Sequence, residues 1–197
     1  MATTKVDVNL IDASSISDTK YLKGDGTWAD MGIDNNRVAN SITIDSDGAV
    51  TKPLTPAFLA YNSVADASVT GNGVTYTVLC DTEVFDQNSD YDGASGTFTA
   101  PVSGRYFLQC QVSTYDQSTT NTDGSLTLVT SNKAYLADYS PGNMEGSAAT
   151  GVCSMNLSGI LDMDAADTAF FKVKIYFGTQ NIGIAANSTF FSGVLVA

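Results

Sequence analysis

The sequence predicts an all-β sandwich or jelly roll. Three observations carry this expectation. From Pro53 onward, short runs alternate apolar and polar residues at a period of two, and they recur at short intervals. The apolar positions favour β-branched and aromatic residues, which suit a pleated, half-buried surface. No stretch holds a helical period over a useful length, and Gly, Ser and Thr fill the gaps as turn residues.

The elements follow in order. PAFLAYNS (56–63) reads as the first strand of the main domain. GVTYTVLC (73–80) alternates Val74, Tyr76, Val78 and Cys80 against Thr75, Thr77 and Leu79. A short strand near 96–100 stops at Pro101, turns, and restarts at Gly104 as a long strand over 104–115. In that strand Tyr106, Leu108, Cys110 and Val112 share one face. SLTLVT (125–130) and KAYLADY (133–139) come next. In GVCSMNLSGILDM (151–163), Cys153, Met155, Leu157 and Leu161 share a face. TAFFKVKIYF (168–177) places Ala169, Phe171, Val173, Ile175 and Phe177 inward and Lys172 and Lys174 outward. TFFSGVLVA (189–197) closes the chain as a strand, so its last residues are expected to be structural.

Residues 1–52 differ in character. VDVNLI alternates, KYLKGDGTWADMG holds a tight turn before the sole tryptophan, Trp28, and SITIDSDGAVTKP gives a short strand, a turn and an extended exit. Large apolar residues are too few here for an independent core, so this segment requires a partner surface. The expected division is 1–52 as an attachment segment and 53–197 as the main domain.

Composition narrows the function classes. With 43% hydrophobic and 15% charged residues in 197, the chain is globular. Its net charge of −12, from scattered acids, opposes a phosphate backbone, so no nucleic-acid partner is expected. No stretch matches a membrane span, and the opening MATTKVDVNLIDASS lacks a signal-peptide core, which sets an expectation of cytoplasmic synthesis. Cys80, Cys110 and Cys153 each sit in an apolar run, and their odd number argues for buried free thiols.

Histidine is absent, so the usual neutral-pH general base is missing. No nucleophile elbow, phosphate loop or zinc spacing occurs, and no enzyme is expected. Calcium is the one metal with a case. DSDG (45–48) begins like an EF-hand loop, but the twelfth position is Pro56 and the pattern fails. Asp86, Asp90, Asp92, Asp162, Asp164 and Asp167 lie in acidic stretches and are the calcium candidates, with solvated loop acids as the other reading. The sequons NLS (156–158) and NST (187–189) are read as unmodified.

DYDGASGTFTAPVSGRYFLQCQV (90–112) resembles the signature of the complement C1q globular head domain. The matching residues are Tyr91, Asp92, Gly96, Phe98, Pro101, Gly104, Tyr106 and Phe107. PAFLAYNS resembles that family's first strand, and STFFSGVLVA its last, with Phe190, Phe191 and Gly193. The resemblance implies a ten-stranded jelly roll, shared with the tumour necrosis factor superfamily, that assembles as a homotrimer. It implies a binding or structural module. Phe98, Pro101, Gly104, Tyr106, Phe107, Phe171, Phe190, Phe191 and Gly193 are then expected in the core or between protomers.

SDTKYLKGDGTWADM is similar to a short element of phage tail-fibre and related virion proteins, here Leu22, Gly24, Asp25, Gly26, Thr27 and Trp28. That similarity implies a virion anchor contacting the major capsid protein or another virion protein. It implies a protein made in a host bacterial cytoplasm and displayed on the virion surface as a fibre or capsid decoration protein. The alternative is a tail-fibre or tip adhesin that recognises a host glycan or protein through the loops 86–95, 116–124, 140–150 and 178–188. Tyr115, Asp116, Asn121 and Asp123 are its candidate ligand contacts. A secreted bacterial C1q-like protein is the third reading, disfavoured by the missing signal sequence.

Overall fold

The alternating strands form two antiparallel sheets, with the apolar parity of each turned toward the other. The computed structural model describes residues 20–22, 28–30, 42–44, 46–144 and 151–197. The chain divides into two units, Met1–Asn40 and Ser41–Ala197. In the first, β1 (Lys20–Leu22) pairs antiparallel with β2 (Trp28–Asp30), and Leu22 stands opposite Trp28. Gly24, Asp25 and Gly26 lie outside the described residues.

The second unit opens with a small hairpin, β3 (Thr43–Ile44) and β4 (Val50–Thr51), so the stretch read as an extended exit is a paired strand. Gly48, at φ 83°, supplies the left-handed residue between them. One sheet holds seven strands. These are β5 (Ala57–Tyr61), β6 (Asp66–Thr70), β8 (Thr82–Gln87), β11 (Gly104–Tyr115), β14 (Cys153–Met163), β16 (Ile182–Ile184) and β17 (Phe190–Leu195). Their order is β6-β16-β11-β17-β5-β8, with β14 along the other side of β11. The six-stranded sheet holds β7 (Thr75–Thr77), β9 (Tyr91–Asp92), β10 (Thr97–Thr99), β12 (Gly124–Thr130), β13 (Ala134–Tyr139) and β15 (Thr168–Ile175). Its order is β13-β12-β15-β10-β9, and β7 also pairs with β15. A single helical turn, α1 (Pro141–Met144), follows β13.

Among the described residues the two sheets hold thirteen strands, where ten were expected. Strands β6, β8 and β16 have no alternating apolar signature to announce them. Strand β8, at the sheet edge, shows burial that does not alternate, because a bulge between its pairings with Leu59 and Ala60 breaks the register. Strand β16 is buried along all three residues. At the end of β15 the expected alternation fails. The strand stops at Ile175, and Phe177, expected inward, is 66% exposed with its backbone at φ 63°.

The core lies between the sheets. Phe58 is its hub, stacked on Tyr91 (centroids 4.9 Å apart) and Phe98 (4.8 Å), with Phe191 edge-on at 5.0 Å. Phe98 leans on Tyr106, and Phe171 on Phe191. All six rings are buried. The buried Tyr91 hydroxyl donates to the carbonyl of Cys80, so its polar end is satisfied.

Candidate functional site

The two sheets differ in what they turn to solvent. On the six-stranded sheet two outward rows are mainly polar, Leu136, Thr127, Lys172 and Thr77 in one and Asp138, Ser125, Lys174 and Thr75 in the next, and a third, Ala134, Val129 and Phe170, is apolar. On the seven-stranded sheet the outward row across β14, β11, β17 and β5 reads Ile160, Phe107, Val194, Ala57. The following row reads Ser158, Gln109, Ser192, Leu59, Phe85, and the next Asn156, Gln111, Phe190, Tyr61. Ile160, Phe85 and Val84 are exposed, and Phe107, Leu59, Phe190 and Tyr61 are half-buried. Beyond the first row Arg105 faces Asp162 across the strands. A contiguous apolar and aromatic patch of this kind marks an interaction surface. Two shallow depressions lie within it, one lined by Leu59, Phe85, Phe107 and Val194, the other by Tyr61, Val84 and Phe190.

The signature residues divide between core and surface. Phe98, Tyr106, Phe171 and Phe191 meet in the core, whereas Phe107 and Phe190 point out from the neighbouring positions of the same strands. Pro101, expected in the core or an interface, is exposed in this chain. Its turn is held from below, where the Tyr106 hydroxyl donates to the Val102 carbonyl at 2.7 Å. Gly104 admits the chain end, since a Cβ there would lie 2.7 Å from the Ala197 carbonyl oxygen. The opposite parity in β5, β11, β14 and β17 was the available signal for this outward face, and its half-apolar content concealed it.

The acidic candidates do not assemble into a metal cage. The Asp86 carboxylate accepts backbone N–H groups of Asp90 and Tyr91, and Asp92 accepts the Ser95 hydroxyl and the Ala94 N–H. The Ser95 hydrogen bond leads in holding the Asp92 carboxyl below its ordinary value. Asp167 accepts the Asn132 amide and the Asp164 N–H, and Asp162 lies on the outward sheet face. Burial, then the Asp86 charge, pushes the Asp90 carboxyl up. Among the described residues no group of three or more His, Cys, Asp or Glu side chains converges. The carboxylates of Asp86, Asp92 and Asp167 serve local turns, and the calcium reading gains no support from the spacing of the six.

The expected ligand loop is rearranged. Asn121 is 1% exposed, and its hydrogen bonds are used internally: Oδ1 accepts from the Ser118 N–H and hydroxyl, and Nδ2 donates to the Tyr176 carbonyl. It braces the loop and is closed to a ligand. Tyr115 is half-buried and donates to the Asp66 carbonyl, while Asp116, at φ 62°, and Asp123 are exposed.

A model of the C1q domain matches residues 57–196. The chain belongs to the C1q domain family. Among solved structures, the globular domain of zebrafish complement 1qA protein aligns at 14% identity and TM-score 0.49, over 73% of this chain and 98% of that one. Murine APRIL, crystallised at pH 8.5, aligns at 10% identity and TM-score 0.50, over 72% and 99%. No curated protein matches the sequence. The C1q head is a non-catalytic recognition module.

The C1q core also fixes the chemistry of its thiols. Cys80, Cys110 and Cys153 are buried thiols. Burial pushes the Cys80 and Cys110 thiols up to about 12, so the reactive thiolate is scarce at neutral pH. Native protein is therefore expected to react slowly with a thiol reagent, and denatured, unreduced protein to titrate three thiols per chain. A titre of one would place two of these cysteines in a disulfide.

Proposed function

We propose that this C1q-family chain is the homotrimeric knob of a virion fibre or capsid decoration protein, attached through residues 1–52. The observation that carries the assembly is the contrast between the sheets. One turns out mainly Lys172, Lys174, Asp138 and hydroxyl residues, with Val129 and Phe170 in a single apolar row, and the other turns out Phe107, Ile160, Val194, Leu59, Phe85, Phe190 and Tyr61 around Gln109, Gln111 and Ser192. Three copies packed through the second face would remove it from solvent, and a closed ring leaves no sticky edge. Its flank carries Arg105 and Asp162, which suit registry between copies.

The virion placement rests on the resemblance of Leu22, Gly24, Asp25, Gly26 and Trp28 to the phage element. The second reading, a tail-fibre or tip adhesin, draws on the exposed aromatic loop that follows β15. Cross-linking in purified particles tests the placement. The expected result is a link from residues 1–52 to the major capsid protein. A link to a tail hub instead would favour the adhesin, and absence of the chain from particles would overturn the virion reading.

A further inference from the structure

Beyond β15 the alternating pattern would bury Phe177, yet the ring stands 66% exposed. Its backbone adopts φ 63°, a region where a bulky side chain is strained and a glycine is at ease. Gly178 follows directly, so the chain had a residue suited to such a conformation one position away. Exposing a large apolar ring and straining the backbone both oppose folding, and nothing in the core gains from either. Strain of this kind points to a use at the surface.

The conformation is clamped rather than loose. The Asn121 amide, buried, donates to the Tyr176 carbonyl at 3.1 Å and the Gly71 carbonyl at 3.5 Å. The Gly178 N–H donates to the same Gly71 carbonyl at 2.9 Å, and the Tyr176 N–H to the Asp123 carbonyl at 2.9 Å. The Tyr176 ring backs Phe177, with centroids 5.9 Å apart, and the Lys174 ammonium sits 4.5 Å from the Tyr176 ring centre. Phe177 is thus held in place with its own surface open.

The segments joined by the Gly178–Gly71 bond also carry neutral hydrogen-bonding groups. Asn72 donates to Gln180, and the Thr179 hydroxyl to Asn181. All four are exposed. Each of the three amides uses one N–H internally and keeps another for a ligand.

We propose that Phe177, backed by Tyr176, is a stacking platform for a neutral carbohydrate, with Asn72 and Gln180 pairing its hydroxyls. A sugar ring offers an apolar C–H face to an aromatic ring and hydroxyls at its edge, which is the chemistry laid out here. A polyanion is disfavoured by the net charge of −12. An added peptide strand finds no edge on β16, which already pairs with β6 and β11. The platform deepens the recognition reading of the head and rests on it.

Fluorine NMR of fluorophenylalanine-labelled full-length protein tests it, with short neutral hexose oligosaccharides of α and β linkage as probes. One phenylalanine resonance, the one missing in Phe177→Gly, is expected to shift saturably. Phe177→Gly should bind about tenfold more weakly while melting about 2–4 °C higher, because it sheds backbone strain. Phe177→Tyr should retain binding, and Gln180→Ala should weaken it. No shift with any probe, or equal binding by Phe177→Gly, overturns the platform. Whole-cell binding that survives Phe177→Gly overturns it too and leaves the recognition reading standing. A protein that binds neither sugars nor cells overturns both.

Discussion

Replacing Phe58 by alanine is expected to destabilise the domain by about 3–5 kcal/mol and to lower its melting temperature by roughly 6–20 °C at fixed protein concentration. The ring is 1% exposed and touches three others at centroid distances of 4.8–5.0 Å. Each such aromatic pair adds about 0.5–1.5 kcal/mol beyond area burial. The cavity left behind cannot be filled from the facing strand, because Phe58 stands opposite Gly193. A Cβ on Gly193 would lie 2.6 Å from the Phe58 ring and 2.6 Å from Leu108 Cδ2. Gly193→Ala alone should therefore overpack the site at a cost of about 1–3 kcal/mol. The pair of changes should cost less than their sum, since the added methyl then enters vacated space. Urea unfolding of the four proteins reads these values directly. A Phe58→Ala cost under about 1 kcal/mol would remove the aromatic cluster from its place as the centre of the fold.

That centre was legible in the sequence where period-two alternation is clean. Residues 104–115, 153–163 and 168–175 alternate because each belongs to a strand with one face on the core. Of the rings in the family motifs, Tyr91, Phe98, Tyr106 and Phe191 are buried, while Phe107 and Phe190 turn outward. Phe58 was within the first strand read, although its place at the hub needed the rings of Tyr91, Phe98 and Phe191 brought together from distant positions.

The remainder was hidden for physical causes. Strand β6 mixes buried and exposed residues, and β8 is an edge strand with a bulge, so neither shows a face in one dimension. Phe177 kept perfect parity with Phe171, yet a left-handed turn overrode it. The outward face escaped the reading because a surface residue and a core residue of the same type look alike in sequence. Phe107 beside Tyr106, and Phe190 beside Phe191, are distinguished only by parity. Asn121, a candidate ligand contact by its place in a polar loop, is instead buried and braces that loop, which the one-dimensional pattern does not show.

Converting Phe107 to aspartate is expected to turn the proposed trimer into a folded monomer. The side chain sits on the outward face of β11 between Ile160 and Val194, with no cation in its own row. In a monomer the new carboxylate stays hydrated, and half-exposure of the site makes the change mild for the fold. In a trimer each copy would carry an unpaired charge into the contact, at several kcal/mol per ion. The cost recurs in every protomer, so the association should be lost while circular dichroism and thiol protection persist. Light scattering is expected to show the mass falling to about one third, the ratio for a closed three-copy ring. Leu136→Asp is the control. Leu136 is 58% exposed on β13 of the other sheet, in a row with Thr127, Lys172 and Thr77. It should leave the mass unchanged. If Phe107→Asp remains trimeric while Leu136→Asp dissociates, the contact runs through the six-stranded sheet. A wild-type monomer at micromolar concentration would end the oligomer reading, and Phe107, Phe190 and Phe85 would then face water or an unrelated partner.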